Sequence, residues 1–313
     1  MWWIVFPLLA AVVFLGALYA YCRAFFSYKK EYNYRAIPIG EEYKAEKEHI
    51  RNLIDDIVGI APTKTFKILA YDRTWLYARY YHVCDNAPLH IQFHGYRSSG
   101  YRDFCSGTKL AKEVGYNILV VDQRAHGKSG GRSITFGIRE RYDCRIWTEF
   151  AGKVFGKKTP IFLSGVSMGA ATVLMASELP MGANVVGILA DCPYSSPEAI
   201  IKKVCAQDMK LPVKLMYPFV QLGALLFGHF RIRGGAVKAV ENTRIPLCIF
   251  HGEADQFVPC DMSREIAAHA TGRCQLHTFP GAGHGLSYIV DEPRYREILK
   301  KFSKDCLEHP WNV

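Results

Sequence analysis

Residues 160–172 read PIFLSGVSMGAAT. An apolar run leads into Ser167, which has Gly165 two residues before it and Gly169 two residues after it, and small residues of helical character follow. A serine hydroxyl is a weak nucleophile until a neighbouring base takes its proton. A sharp turn between a strand and a helix would expose its Oγ, and glycines on both sides would remove the side chains that collide in such a turn. Gly is common enough in this chain, 26 of 313 residues, that the spacing alone carries little weight. The question is whether a base and an acid arrive at the same place.

Two later stretches supply them. CQLHTFPG runs into AGHG, which puts His284 just past a strand, and PLCIFHG runs into EAD, which puts Asp255 just past another. In the order Ser…Asp…His, His284 would take the Ser167 proton and Asp255 would fix the imidazole tautomer and stabilise the imidazolium. Asp191, at the end of VVGILAD, is a rival acid, and Glu253 is a third. Asp255 is preferred because HGEAD places it in a short turn before a helix, whereas Asp191 meets Cys192-Pro193 and a long covering segment. A tetrahedral intermediate needs backbone N–H donors; Met168, at the start of its helix, and Tyr96, just after His94-Gly95, are the candidates. His94 is expected to shape that loop rather than transfer protons. His94 and Tyr194 are both carried as candidate substrate contacts, and His126 as a structural residue. No His/Asp/Glu group has metal-ligand spacing and no cofactor is implied, so neither is expected.

The elements that would carry these residues are legible from residue 64 onward. Strand-like runs are FKILAYD, WLYARYYHV, LHIQFHG, NILVVDQ, PIFLSG, VVGILADCP, PLCIFHG and CQLHTFPG. Helix-length segments fall at about 103–114, 138–156, 168–179, 261–271 and 293–307. Continuous apolar strands alternating with helices indicate a mostly parallel sheet of about eight strands, with helices on both faces. The first two runs lack a helix between them and predict an antiparallel hairpin at one edge. In such sheets ligands bind beyond the carboxyl ends of the strands, where all the residues above emerge. Residues 195–237 are too long for one crossover helix and predict a small helical cap over that edge.

With those residues in view, the chain resembles the α/β-hydrolase superfamily. HGYRSS, DQRAHGKSGG, GVSMGA, HGEADQFVP and GAGHG fall in its order and rough spacing. The chain looks most like the bacterial membrane-anchored serine hydrolases known as esterases or serine-aminopeptidase-like proteins. The resemblance covers about residues 64–308. It implies the α/β-hydrolase fold, a serine nucleophile at Ser167, an acid after the seventh strand at Asp255 and a histidine after the eighth at His284. The chain departs from the family pattern at Ala125, a place commonly Gly.

Ahead of this domain, residues 2–22 contain no charged side chain. At about 1.5 Å per residue the run covers about 32 Å, enough to cross a bilayer core. Trp2 and Trp3 stand at one end and Tyr19 and Tyr21 at the other, as an aromatic belt would. The length, and the lack of Lys or Arg ahead of it, favour an uncleaved anchor over a signal peptide. Arg23, Lys29, Lys30 and Arg35 follow it, and the positive-inside rule then places the rest of the chain in the cytoplasm, on a single-pass protein of the cell membrane. The domain reading is therefore an anchor at 1–22, a connector and amphipathic helix at 23–63 (with Ile50, Leu53, Ile54, Ile57 and Val58 on one stripe), and a catalytic domain at 64–313 with its cap at 195–237.

Composition limits the function classes. The net charge is +10, yet no Lys/Arg run is interleaved with stacking aromatics, so a nucleic-acid partner is not expected. Ten cysteines without C-x-x-C spacing suggest free thiols in a reducing compartment. The expected activity is hydrolysis of a small-molecule acyl compound, a carboxylic ester first, through an acyl-enzyme. A peptidase or amidase acting on small peptides is the alternative. A non-catalytic binding protein on the same fold is a further one, since a fold does not fix function.

Overall fold

The computed structural model describes residues 2–28, 33, 35, 37, 41–181 and 184–309. Lys29 and Lys30, on which the expected orientation partly rests, lie outside the described residues. Eight strands form one sheet: β1 (Lys64–Leu69), β2 (Trp75–Tyr81), β3 (Leu89–Phe93), β4 (Asn117–Asp122), β5 (Ile161–Val166), β6 (Val185–Asp191), β7 (Leu247–Gly252) and β8 (Cys274–Phe279). Their order across the sheet is β1-β2-β4-β3-β5-β6-β7-β8. β1 and β2 form the expected antiparallel hairpin, and β2 pairs antiparallel with β4; every pairing from β4 to β8 is parallel.

Burial follows from this order. β3, β4, β6 and β7 are buried at every position, because helices cover both faces. β1, at the free edge, alternates exposed with half-buried residues. On one face the sheet packs against the helices Glu140–Val154, Met168–Ala176, Ala236–Val240 and Cys260–His269, around the fully buried Trp147. On the other face lie Lys47–Val58, Cys105–Glu113 and Glu292–Glu308, around Phe162, Phe250 and Phe302. The amphipathic helix read from the sequence thus buries Ile50, Leu53, Ile54 and Ile57, and Val58 is half-buried at its end. None of the ten cysteines is in a disulfide, and seven are buried.

The cap segment is two helices, Pro197–Lys203 and Val213–Leu226, joined through a π-helical turn at Val204–Asp208. The second helix, 14 residues long, is too short to cross a bilayer. It lies along the N-terminal helix Trp2–Ala24. A Cβ on Gly223 would come within 2.4 Å of the Ala17 carbonyl oxygen, and one on Gly16 within 2.8 Å of the Phe219 ring. Small residues therefore let the two helices touch backbone to side chain, and Ala17, Ala20 and Tyr21 are buried there. The sequence treated the N-terminal helix as a separate anchor; its last two turns are packed into the cap. Its earlier turns are exposed, and the helix is long and apolar enough to cross a membrane.

Candidate active site

Ser167 sits between β5 and the helix Met168–Ala176 with φ 54° and ψ −114°, a strained conformation for a residue with a side chain. Close packing requires the flanking glycines. A Cβ on Gly169 would lie 1.7 Å from the Phe93 carbonyl oxygen, and one on Gly165 would lie 2.2 Å from the Gly169 backbone. The turn is pinned to the next strand by the Ser167 N–H donating to the Asp191 carbonyl at 2.8 Å.

Three side chains from three loops meet here. His284 Nε2 is 3.0 Å from Ser167 Oγ, and His284 Nδ1 is 2.7 Å from Asp255 Oδ2. The other Asp255 oxygen accepts from the N–H groups of Phe257 and Val258 at 2.9 and 2.8 Å, so the carboxylate cannot rotate away. Burial opposes the Asp255 charge, but His284, His251 and the Val258 N–H together hold its carboxyl well below the usual carboxylate range. For His284, burial disfavours the cation, and the Asp255 carboxylate outweighs it, with Asp191 and Asp103 adding to the pull; its basicity is raised above the ordinary imidazole value.

That shift predicts a pH profile. The base form of His284 is the one able to accept a proton, so kcat/KM should rise with pH through a midpoint above about 6.5, the ordinary histidine value. A rate already at its plateau below pH 6 would contradict this arrangement.

Asp191, the rival acid, faces elsewhere. Its carboxylate accepts from the Tyr295 hydroxyl at 3.2 Å and lies 3.5 Å from Ser287 Oγ. Burial pushes its pKa up to about 6. Glu253 accepts from the Thr278 hydroxyl at 2.6 Å, on the surface.

The loop after β3 runs past the serine. A Cβ on Gly95 would lie 3.4 Å from Ser167 Cβ. The Gly95 N–H donates to Asp103 Oδ2 at 2.6 Å. Tyr96 follows and lines both cavities beside Ser167; Met168 begins the helix at the turn. His94 lines neither cavity. It is buried beneath the loop, with Nδ1–H donating to the Gly95 carbonyl at 2.9 Å and Nε2 accepting from the Gln123 N–H at 3.1 Å. Packing leaves it the role of shaping the turn. His126 does the same one layer further out, its Nδ1–H on the Arg124 carbonyl and its Nε2 accepting from Arg97 N–H at 3.0 Å. Tyr194 does line a cavity with Ser167.

Several contributors carried no sequence signal that was used. His251 ends β7, donates through Nε2 to the Val258 carbonyl at 2.8 Å and stands 3.3 Å from Asp255 Oδ2. It stands at the carboxyl end of that strand, four residues before Asp255, the same sheet edge that delivers the other site residues. Tyr43, in a stretch without periodicity, donates its hydroxyl to the His284 carbonyl at 2.8 Å. The Phe257 ring stands edge-on to His284, centroids 5.1 Å apart. Cys192, Asp255 and His284 each place a possible metal-ligand atom within 4.8 Å of the others, a grouping that sequence spacing did not reveal. The donor chemistry fits a metal poorly: burial drives the Cys192 thiol well above its usual range, and both imidazole nitrogens already face Asp255 and Ser167.

Two cavities flank Ser167. One, of about 300 Å³, is bounded by Tyr43, Ser98, Arg102, Asp103 and Leu286, and carries more polar groups. The other, of about 220 Å³, is apolar and lies under the cap. Both linings are mainly apolar, and the first differs by adding Ser98, Arg102 and Asp103 on one side of the nucleophile.

The sequence profile of the Alpha/beta hydrolase family matches residues 93–295, a stretch that holds Ser167, Asp255 and His284. Among curated proteins the chain is 24% identical over 194 residues to protein YqkD of Bacillus subtilis, covering 62% of this chain and 64% of that one. It is 26% identical over 225 residues to human protein ABHD12B, covering 64% and 57%. The matched regions thus span less than two thirds of these relatives. Among solved structures, Pyrococcus furiosus esterase Pf2001 superposes with a TM-score of 0.64 at 24% identity, over 77% of this chain and 90% of that one. Est1E of Butyrivibrio proteoclasticus, with ferulic acid bound, does so with a TM-score of 0.58 at 20% identity, over 78% and 99%. At these identities the likeness speaks to the fold.

Proposed function

The chain belongs to the alpha/beta hydrolase family, and on that footing we propose that it is a serine hydrolase that cleaves carboxylic esters through an acyl-enzyme. The observation that carries the reading is the unbroken contact from Ser167 Oγ through His284 to a buried, doubly anchored Asp255. His284 takes the proton as Ser167 Oγ attacks the ester carbonyl, and Asp255 stabilises the imidazolium. The backbone N–H groups of Met168 and Tyr96 receive the oxyanion. On collapse, the bond to the alcohol oxygen breaks and His284 returns the proton to that alcohol. Water, deprotonated by His284, then releases the acid and restores Ser167. The esterase structures sharing the fold, and an apolar cavity touching the nucleophile, favour an ester over a peptide.

The N-terminal helix is read as a membrane anchor with the catalytic domain on the cytoplasmic side, following the charge at Arg23 and the lysines after it. A panel of 4-nitrophenyl esters and aminoacyl 4-nitroanilides tests the chemistry. The account expects ester turnover and labelling by a fluorophosphonate. Turnover confined to the anilides would make the enzyme an amidase, and neither turnover nor labelling would leave a binding protein.

A further inference from the structure

The apolar cavity beside Ser167 is walled by three parts of the chain: Ala20 and Ala24 from the N-terminal helix, Ile201, Met216 and Val220 from the cap, and Phe136 from the domain. The helix that looks like a simple anchor is therefore part of the site. Its last turn is also held by the loop that follows β3. The Tyr96 hydroxyl donates to the Ala24 carbonyl at 2.8 Å, and Arg97 donates to the carbonyls of Arg23 and Phe26 at 3.0 Å each. These carbonyls lack intrahelical partners, so the helix end and the loop beside the nucleophile are tied together.

The outer surface of this assembly is apolar. Leu8, Leu9, Val12 and Leu15 are 56–66% exposed on the N-terminal helix, and Leu215, Leu225 and Leu226 are 44–61% exposed on the cap helix. The two helices touch beside these sets, where Phe14, next to Leu15, meets Phe227, next to Leu226, edge-on with centroids 5.3 Å apart. Exposed apolar side chains on both of two packed helices, one of them able to span a bilayer, fit lipid rather than water. The cap helix then lies against the bilayer, and the cavity beside Ser167 lies just inside it.

We propose that the N-terminal helix forms one wall of an acyl-chain site, and that the substrate is a bilayer-resident ester carrying a single aliphatic chain, which enters sideways between this helix and the cap. The lining and size favour one aliphatic chain over two: the walls are apolar and about 220 Å³ is below the roughly 300–1,000 Å³ of pockets for drug-sized ligands. The polar alcohol part occupies the second cavity, near Ser98, Arg102 and Asp103. This inference rests on the esterase reading.

The test uses the full chain in vesicles of ether-linked phosphatidylcholine, which has no ester to cleave. Turnover of 4-nitrophenyl dodecanoate and of 4-nitrophenyl acetate is measured for the wild type, Ala20→Phe and Met216→Trp, which fill the cavity from opposite walls. Fluorophosphonate labelling shows in each case that the protein is folded and Ser167 is reactive. The ratio of dodecanoate to acetate turnover should fall at least about tenfold in each labelled variant. A ratio within about twofold of wild type in a labelled variant overturns the proposal, as does a wild type that cleaves the acetate but not the dodecanoate; both leave the esterase reading standing. A wild type that cleaves neither ester and takes no label takes the esterase reading down, and this inference with it.

Discussion

Ser167→Ala should lose ester turnover by about 10⁶-fold, the scale on which other triad hydrolases respond to loss of the nucleophile. The protein should remain folded. The alanine methyl fits where the Cβ already is, and the turn is held by the Ser167 backbone N–H to Asp191 and by the packing of Gly165 and Gly169, none of which needs the hydroxyl. Circular dichroism and thermal unfolding of the variant, set beside its turnover, separate a chemical loss from a structural one. Turnover within a few-fold of wild type would mean that another residue attacks the substrate.

Asp255→Asn should cost about 10⁴-fold in kcat, the scale seen when a triad aspartate loses its charge and the histidine adopts the wrong tautomer. An asparagine keeps the shape and one acceptor for the Phe257 and Val258 N–H groups but presents no charge to His284. The companion variant is Asp191→Asn. That carboxylate bonds Tyr295 and lies near Ser287 rather than His284. Its loss should appear as about 1–2 kcal/mol of stability, as for a buried hydrogen bond, with kcat largely kept. The pair should also separate in pH dependence: Asp255→Asn removes the group that raises His284, so the midpoint of the residual activity moves down, whereas Asp191→Asn moves it less, because Asp191 is a smaller contributor. An inactive Asp191→Asn beside a nearly normal Asp255→Asn would reverse the assignment of the acid.

Much of this site was legible in the sequence because it is built at the ends of strands. The strands announce themselves as continuous apolar runs, and Ser167, Asp255 and His284 stand just beyond three of them, so locating the strand ends located the residues. The hairpin at the sheet edge was legible for the same reason, from two strand runs with no helix between them. What was hidden depends on contacts between distant segments. Nothing local in the sequence says that Tyr43 reaches the His284 carbonyl, 241 positions away. His94 stands at a strand end like the other candidates, but side chains there alternate in direction, so its position does not tell that its ring packs under the loop. The N-terminal helix is the clearest case. Its composition reports that it can cross a membrane, and says nothing of Gly16, Ala17 and Tyr21 fitting against Phe219 and Gly223 of the cap. Small residues give no periodic signal of their own, so the helix read as an anchor alone.

The central claim is that Ser167 is the nucleophile, activated by His284 and Asp255. It is tested most directly by incubating the full-length protein with a fluorophosphonate, digesting it and locating the adduct by mass spectrometry. The account predicts one adduct, on Ser167, formed far more slowly in Asp255→Asn and absent in Ser167→Ala. An adduct on a different residue, or equal labelling of wild type and Asp255→Asn, would contradict it.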